Sequence, residues 1–223
     1  MTRPFDDWVS YFYPETYDPE TRDGTLRNLY GERDARVLAR LEYVDTAART
    51  YELLNGQADV ARTYDAAHVR AIHAYLFQDV YAWTGQYRNV NVFKHMSAFA
   101  DAHTGQIDGY LAHVRTLVTQ TQWAALDHPS FVTSSAEVFA YLNLAHPFRE
   151  GNGRTSKVFM EHVSELSSFG FDFALVSPRD WNMASMLSGP DIGSDVPVPD
   201  LLIPVFEQAT IARHSPARPS RRS

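Results

Sequence analysis

A chain of 223 residues with 44% hydrophobic content carries enough apolar material for one well-packed domain with additions, not for two large ones. The net charge is −7, and the chain is more acidic still once the tail arginines Arg213, Arg218, Arg221 and Arg222 are set aside, so direct nucleic-acid binding is disfavoured. The absence of cysteine excludes disulfides and thiolate metal sites. Residues 1–30 lack a signal-peptide pattern, and no stretch approaches the ~18–20 apolar residues of a membrane span. The expectation is a soluble, cytoplasmic protein with no membrane partner.

Residues 1–32 mix Pro, Gly, Thr, Asp and Tyr without periodicity and predict an irregular arm lying on the body. From Arg33 the residues Val37, Leu41, Val44, Ala48 and Tyr51 recur at steps of three and four. They predict a helix that buries this apolar face and closes at Asn55-Gly56. A second helix is expected after Asp65, an N-cap candidate, with Val69, Ile72, Leu76 and Phe77 turned inward. Thr84-Gly85-Gln86 breaks the helical pattern, and Val90, Val92 and Phe93 favour extended structure up to about Phe99. Further helices are expected over Ile107 to Gln122, from Pro129-Ser130 to about Ala145, through Val158, Phe159, Val163 and Leu166 to Gly170, over Pro178 to Leu187, and over Leu201 to Ile211. The fold class is therefore all-α with one small β-hairpin. The domain spans 33–212, and a basic tail at 213–223 is expected to be disordered.

Between the two most apolar helices lies His146-Pro147-Phe148-Arg149-Glu150-Gly151-Asn152-Gly153-Arg154, a polar loop where helical domains usually have short, bland connectors. Gly151 and Gly153 allow a tight bend and expose backbone N–H groups. A helix beginning near Asn152 turns its free N–H groups and positive dipole end on the same spot, which makes an anion site. Arg154 adds a forked cation suited to phosphate oxygens. Glu150 is a hard oxygen ligand suited to Mg²⁺ held between phosphates. His146 has an unperturbed pKa near neutrality and suits a general base. Phe148 is expected to plug the core and clamp the loop. A lone His-Pro or Gly-Asn-Gly would be structural; nine consecutive residues with all these parts are not easily so.

The string His146 to Lys157, HPFREGNGRTSK, resembles the Fic-family signature His-x-Phe-x-(Asp/Glu)-Gly-Asn-Gly-Arg-x-x-Arg at every specified position but the last. Gly85-Gln86-Tyr87-Arg88, followed by Val90, Val92, Lys94 and Phe99, is similar to the family's flap hairpin, and the resemblance covers roughly residues 10–170. It implies a helical Fic-type bundle and a protein adenylyltransferase that moves AMP from Mg-ATP to a Ser, Thr or Tyr hydroxyl of a target protein. In that scheme His146 is the base, Glu150 holds Mg²⁺, and Gly151, Asn152, Gly153 and Arg154 bind phosphate. The flap residues Val90, Val92, Phe93, Lys94 and Phe99 dock the target by strand addition. Lys157 stands where the family has its second arginine; it keeps the charge for the γ-phosphate but not the fork. A Lys157–Glu161 surface ion pair is the structural reading of the same residue.

Many Fic proteins carry a restraining helix with (Ser/Thr)-x-x-x-Glu-(Gly/Asn), and no glutamate in this chain completes that pattern. The chain thus resembles stand-alone members restrained by a small separate antitoxin, which include toxins acting on type II topoisomerases. Two other readings stay open: a Doc-like phosphotransferase, which Gly153 argues against, and a non-catalytic Fic-fold scaffold. Transfer of UMP or another nucleotide is open too. Elsewhere, His68 and His73 are five apart and predict no metal site, and His95, His103 and His113 are expected to be solvated or near substrate. Trp181 is expected in the core rather than beside the adenine.

Overall fold

A computed structural model describes residues 5–94 and 97–213, without the side chains of 94, 97 and 98. The N-terminal arm runs through two 3-10 turns, Val9–Tyr11 and Pro14–Thr16, and folds back on itself through bridges Phe12 to Leu26 and Asp18 to Asp23. Seven helices follow among the described residues: α1 (Ala35–Leu54), α2 (Ala66–Phe77), α3 (Gln106–Gln120), α4 (His128–Ala145), α5 (Asn152–Ser164), α6 (Pro178–Leu187) and α7 (Ile203–Ala209). Strands β1 (Phe93–Lys94) and β2 (Ser97–Ala98) form the expected hairpin, Phe93 opposite Ala98. The expected basic tail lies outside the described residues from 214 onward. No helix among the described residues is long and apolar enough to cross a membrane.

Helix starts follow local chemistry. The carboxylates of Asp34, Asp65 and Asp127 and the hydroxyl of Ser177 each accept backbone N–H bonds at the first turns of α1, α2, α4 and α6. Helix α4 is apolar nearly all round and buries Phe131, Val132, Ala136, Val138, Phe139, Leu142 and Leu144, so it takes the centre, with α3, α5 and α7 packed around it. Its C-terminus and the N-terminus of α5 meet in the interior, and this places the loop 146–154 between them.

Three expectations need correction. The apolar stripe of α1 faces outward: Val37, Leu41, Val44, Ala48 and Tyr51 are exposed, Val44 at 62%, while Leu38, Glu42, Thr46 and Leu53 face in. The surface beneath α1 presents Arg154, Tyr81 and Tyr75, and such groups demand carboxylate and hydroxyl partners rather than methyl groups. Secondly, α5 ends at Ser164, not Gly170. Gly170 lies in a strand, β3 (Phe169–Phe171), which pairs antiparallel with β4 (Thr210–Ala212), so there are two small sheets among the described residues and α7 is short. Thirdly, Lys157 does not face Glu161. Its ammonium lies 4.8 Å above the Trp181 ring and 5.3 Å from that of Phe173, while Glu161 faces Arg213 at 3.8 Å. The core reading of Trp181 holds: its rings pack against Phe139, Phe173 and Phe206.

Three histidines are buried in the same core. The Tyr64 N–H donates to His68 Nδ1, so the His68 proton sits on Nε2 and is given to His162 Nδ1 at 2.9 Å. Burial pushes His68 down to about 4, and His162 and His73 down to about 3. Above the ordinary histidine value both folded and unfolded chains hold neutral imidazole. Below it the unfolded chain takes up protons that the fold refuses, and each such group costs up to ~1.4 kcal/mol per pH unit. Glu161, pushed up to about 7 by burial, works in the opposite sense, as one carboxyl against three imidazoles. The melting temperature is therefore expected to fall steadily between about pH 6.5 and about pH 4, as a pH series of thermal melts would show; a flat profile would place these rings in water.

Candidate active site

The loop between α4 and α5 is shaped from both sides by backbone bonds. His146 caps α4 in the left-handed region, with φ +38 and ψ 58, an uncommon conformation for a residue with a side chain and one that surrounding contacts must hold. Two partners supply that hold. Arg88 is 2% exposed and donates Nε–H to the His146 carbonyl at 2.8 Å, while its own N–H bonds the Pro147 carbonyl at 2.8 Å. The same guanidinium donates to the carbonyls of Val90 and Ala100, at the two roots of the flap. Burial lowers the Arg88 pKa to about 10, which leaves it charged at neutral pH. Phe99, at the end of the flap, lies on the His146 ring with centroids 3.7 Å apart and planes at 16°.

On the other side Asn152 pins the loop to itself: Oδ1 accepts from the Phe148 N–H at 2.9 Å and Nδ2 donates to the Phe148 carbonyl at 2.8 Å. Phe148 is fully buried, as expected, against the ring of His73 at 3.8 Å. Because the Gly85 N–H donates to His73 Nδ1 at 2.8 Å, the ring proton is on Nε2 and faces the Glu150 carbonyl at 3.1 Å. A neutral, fixed histidine thus joins the start of the flap segment to the start of the glycine loop.

Gly151 has φ +82, and a Cβ there would overlap the Phe77 ring. Gly153 differs: a Cβ would meet nothing within 4 Å, so the space over this first turn of α5 is open. The first internal bond of α5 runs from the Thr155 N–H to the Gly151 carbonyl at 3.0 Å, which leaves the N–H groups of Asn152, Gly153 and Arg154 outside the helical ladder. Those donors and the positive dipole end point where the sequence reading expects an anion. The Asn152 amide is committed to Phe148, so this residue offers that space only its backbone N–H.

Glu150, its carboxylate half-exposed, caps the Gly151 N–H at 3.0 Å and lies 3.4 Å from Arg154. Arg154 is held more closely by Glu42 of α1 and also meets the Thr46 hydroxyl at 3.2 Å. Lys157 is half-buried on aromatic rings, and burial lowers its pKa. Of the flap residues, Val90 is buried, Val92 is partly covered and Phe93 is 71% exposed; the Lys94 side chain lies outside the described part. His103 and His113 are both exposed, His113 with its ring on Tyr141 at a centroid distance of 4.1 Å; His95 lies outside the described residues. Sequence reasoning gave Glu42, His73, Phe77 and Arg149 no part in this site. The Arg149 guanidinium lies over Trp8 at 4.1 Å and Phe12 at 5.1 Å, so the arm grips the loop by cation–π contact.

With this geometry, comparison with known proteins is direct. The model of the Fic/DOC family matches residues 63–164. The chain is 30% identical over 179 residues to a probable protein adenylyltransferase, y4lH, of Sinorhizobium fredii, covering 75% of this chain and 85% of that protein. It is 34% identical over 172 residues to the protein adenylyltransferase VbhT of Bartonella schoenbuchensis, covering 77% of this chain but only 35% of VbhT's length. Among solved structures, BepC of Bartonella tribocorum, with bound AMPPNP, superposes with a TM-score of 0.77 at 24% identity, over 92% of this chain and 98% of that one. The N-terminal Fic domain of a cell filamentation protein of Bartonella quintana, with bound ADP, gives 0.75 at 26% identity, over 91% and 95%. The chain belongs to the Fic/DOC family.

The two glycines separate fold from ligand. Gly151→Ala must both strain the backbone and displace Phe77, and is expected to cost roughly 2–4 kcal/mol of stability. Gly153→Ala is expected to leave thermal stability within about 0.5 kcal/mol while filling the open space where an anion would sit. Thermal melts of both variants, beside nucleotide titrations of Gly153→Ala, check this pair.

Proposed function

We propose that this chain transfers AMP from Mg-ATP to a hydroxyl side chain of a target protein. The observation that carries the reading is the open N-terminal turn of α5 at Gly153, set beside His146 at the end of α4. The names of the curated relatives and the ADP held by the Bartonella quintana domain support it. Phosphate oxygens would take the N–H groups of Asn152, Gly153 and Arg154 and the Arg154 guanidinium. His146 would accept the proton of the target hydroxyl while its oxygen attacks the α-phosphorus and pyrophosphate leaves, so that positioning and charge stabilisation do the catalysis.

The donor set suits Mg²⁺ bound with a nucleotide. Glu150 offers one half-exposed carboxylate, and no group of three or more ligating side chains occurs among the described residues. That is the pattern of an ion carried by one or two carboxylates plus phosphates. When bound, Mg²⁺ would neutralise phosphate charge beside the Glu150 carboxylate of the loop and the Glu42 carboxylate of α1.

The outer residues of the flap, Val92 and Phe93, fit an edge that takes up an extended target segment, while Val90 and Phe99 anchor the flap to Arg88 and His146. Lys157, which rests on the rings of Trp181 and Phe173, keeps a charge for the γ-phosphate but lacks the fork of an arginine. A small separate antitoxin, whose Ser/Thr-x-x-x-Glu-Gly/Asn helix would reach the same lysine, and a toxin role against a host target such as a type II topoisomerase belong to this proposal as its regulatory part.

His146→Ala is expected to abolish transfer and leave Mg-ATP affinity within a few-fold, because the base acts on the incoming hydroxyl; calorimetry alongside transfer from labelled ATP tests it. Label passing to protein from the α-position, and not from the γ-position, separates AMP transfer from a Doc-like phosphotransfer. Val92→Pro or Phe93→Pro is expected to slow modification of the target more than nucleotide binding, since proline removes a strand N–H. Normal modification by both variants would end the flap-docking idea.

A further inference from the structure

The family match begins at residue 63, yet the cation of the glycine loop is held by a helix that precedes it. Arg154 lies with its guanidinium 4.7 Å over the face of Phe77, the ring that also blocks a side chain at 151. Its Nη2 donates to Glu42 Oε1 and lies 3.4 Å from Glu150, and its Nη1 donates to Thr46 Oγ1 at 3.2 Å. The Thr46 hydroxyl spends its own proton on the Glu42 carbonyl at 2.7 Å, so it faces Arg154 as an acceptor. The other carboxylate oxygen of Glu42 accepts from the buried Tyr81 hydroxyl. The Glu42 side chain is only 11% exposed, and with one oxygen on Tyr81 and the other on Arg154 it has no freedom to turn. A guanidinium carries five N–H donors; the Nε–H and one Nη1 hydrogen lie outside this network.

We propose that Glu42 is a positioning residue for phosphate binding: through Tyr81 and Thr46 it fixes the Arg154 guanidinium on Phe77, with its remaining donors presented to the loop. The proposal rests on the reading of Arg154 as a phosphate ligand. A long, flexible cation held in advance loses less rotamer entropy when an anion arrives. It also makes α1 a working part of the site, and accounts for the polar residues that α1 turns inward where its apolar ones would be expected.

The test is calorimetric titration of Mg-ATP and of adenosine into the full chain and into the variants E42Q, E42D, R154A and E42Q/R154A. E42Q keeps the size and a Tyr81 acceptor but loses the charge. It is expected to weaken Mg-ATP roughly tenfold, to leave adenosine binding unchanged, and to add nothing in the R154A background. E42D, charged but shorter, is expected to fall between. Equal losses for both ligands, or a loss that persists without Arg154, would make Glu42 a purely structural contact and overturn the proposal. A gain in Mg-ATP affinity would overturn it too, since Glu42 would then compete with phosphate for the arginine. Undiminished Mg-ATP binding by R154A would remove the phosphate role of Arg154, and this proposal with it, while leaving the family assignment intact. Should E42Q fail to fold, the rotation of the Arg154 guanidinium, read by nitrogen NMR in E42D, decides: rotation as slow as in the parent chain overturns the proposal.

Discussion

One buried cation shapes the site without belonging to the residues proposed to bind phosphate. Arg88 spends its guanidinium on three backbone carbonyls, those of His146, Val90 and Ala100, and has no carboxylate among these partners. A buried guanidinium costs several kcal/mol to desolvate unless its donors are used. Because these carbonyls come from the end of α4 and from both roots of the flap, the charge is satisfied only when all three segments are in place. The left-handed conformation of His146 is thereby supported from its own carbonyl, and Phe99 is brought over the imidazole as a consequence. Three different guanidinium nitrogens serve these carbonyls, whereas a lysine would need all three acceptors gathered around one nitrogen.

The opposite wall of the loop is built from neutral groups. His73 is buried, uncharged and held in one tautomer by the Gly85 N–H, so it passes a defined hydrogen bond to Glu150 rather than a charge. Phe77 supports the Arg154 guanidinium from below and leaves room above Gly151 only for hydrogen. Positive charge near the site rests repeatedly on aromatic faces: Arg149 on Trp8, Arg154 on Phe77, and Lys157 on Trp181. Ring faces attract a cation without bearing a full negative charge, so they hold these side chains without adding the repulsion toward phosphate that further carboxylates would bring.

Several helices were legible because their presence depends on local signals. Asp65 announces α2, the apolar runs announce α4 and α5, and the proline at 178 opens α6. The face of α1 was not legible. Periodicity marks which residues share a side, but whether that side is buried depends on what lies opposite, and here the opposite surface carries Arg154, Tyr81 and Tyr75. Lys157 failed for a related reason: Glu161 at the next turn is a plausible partner by spacing alone, yet Trp181 and Arg213 arrive from distant segments and take one residue each. Likewise β4 pairs across some forty residues with β3, and nothing in the short run Thr210–Ala212 names its partner.

What the sequence determined by itself was the candidate catalytic loop: nine consecutive residues whose backbone freedom, helix start, histidine, carboxylate and arginine are all encoded in one short stretch of chain. Local sterics and helix termini suffice for that, and the Asn152–Phe148 bonds that fix the loop's shape span only four residues. The tertiary structure alone decided how the loop is held. Glu42, His73 and Arg88 are separated from it by some 58 to 112 positions, and each is polar where a helix face or loop would ordinarily be solvated. Their roles exist only once burial has removed water as the alternative partner.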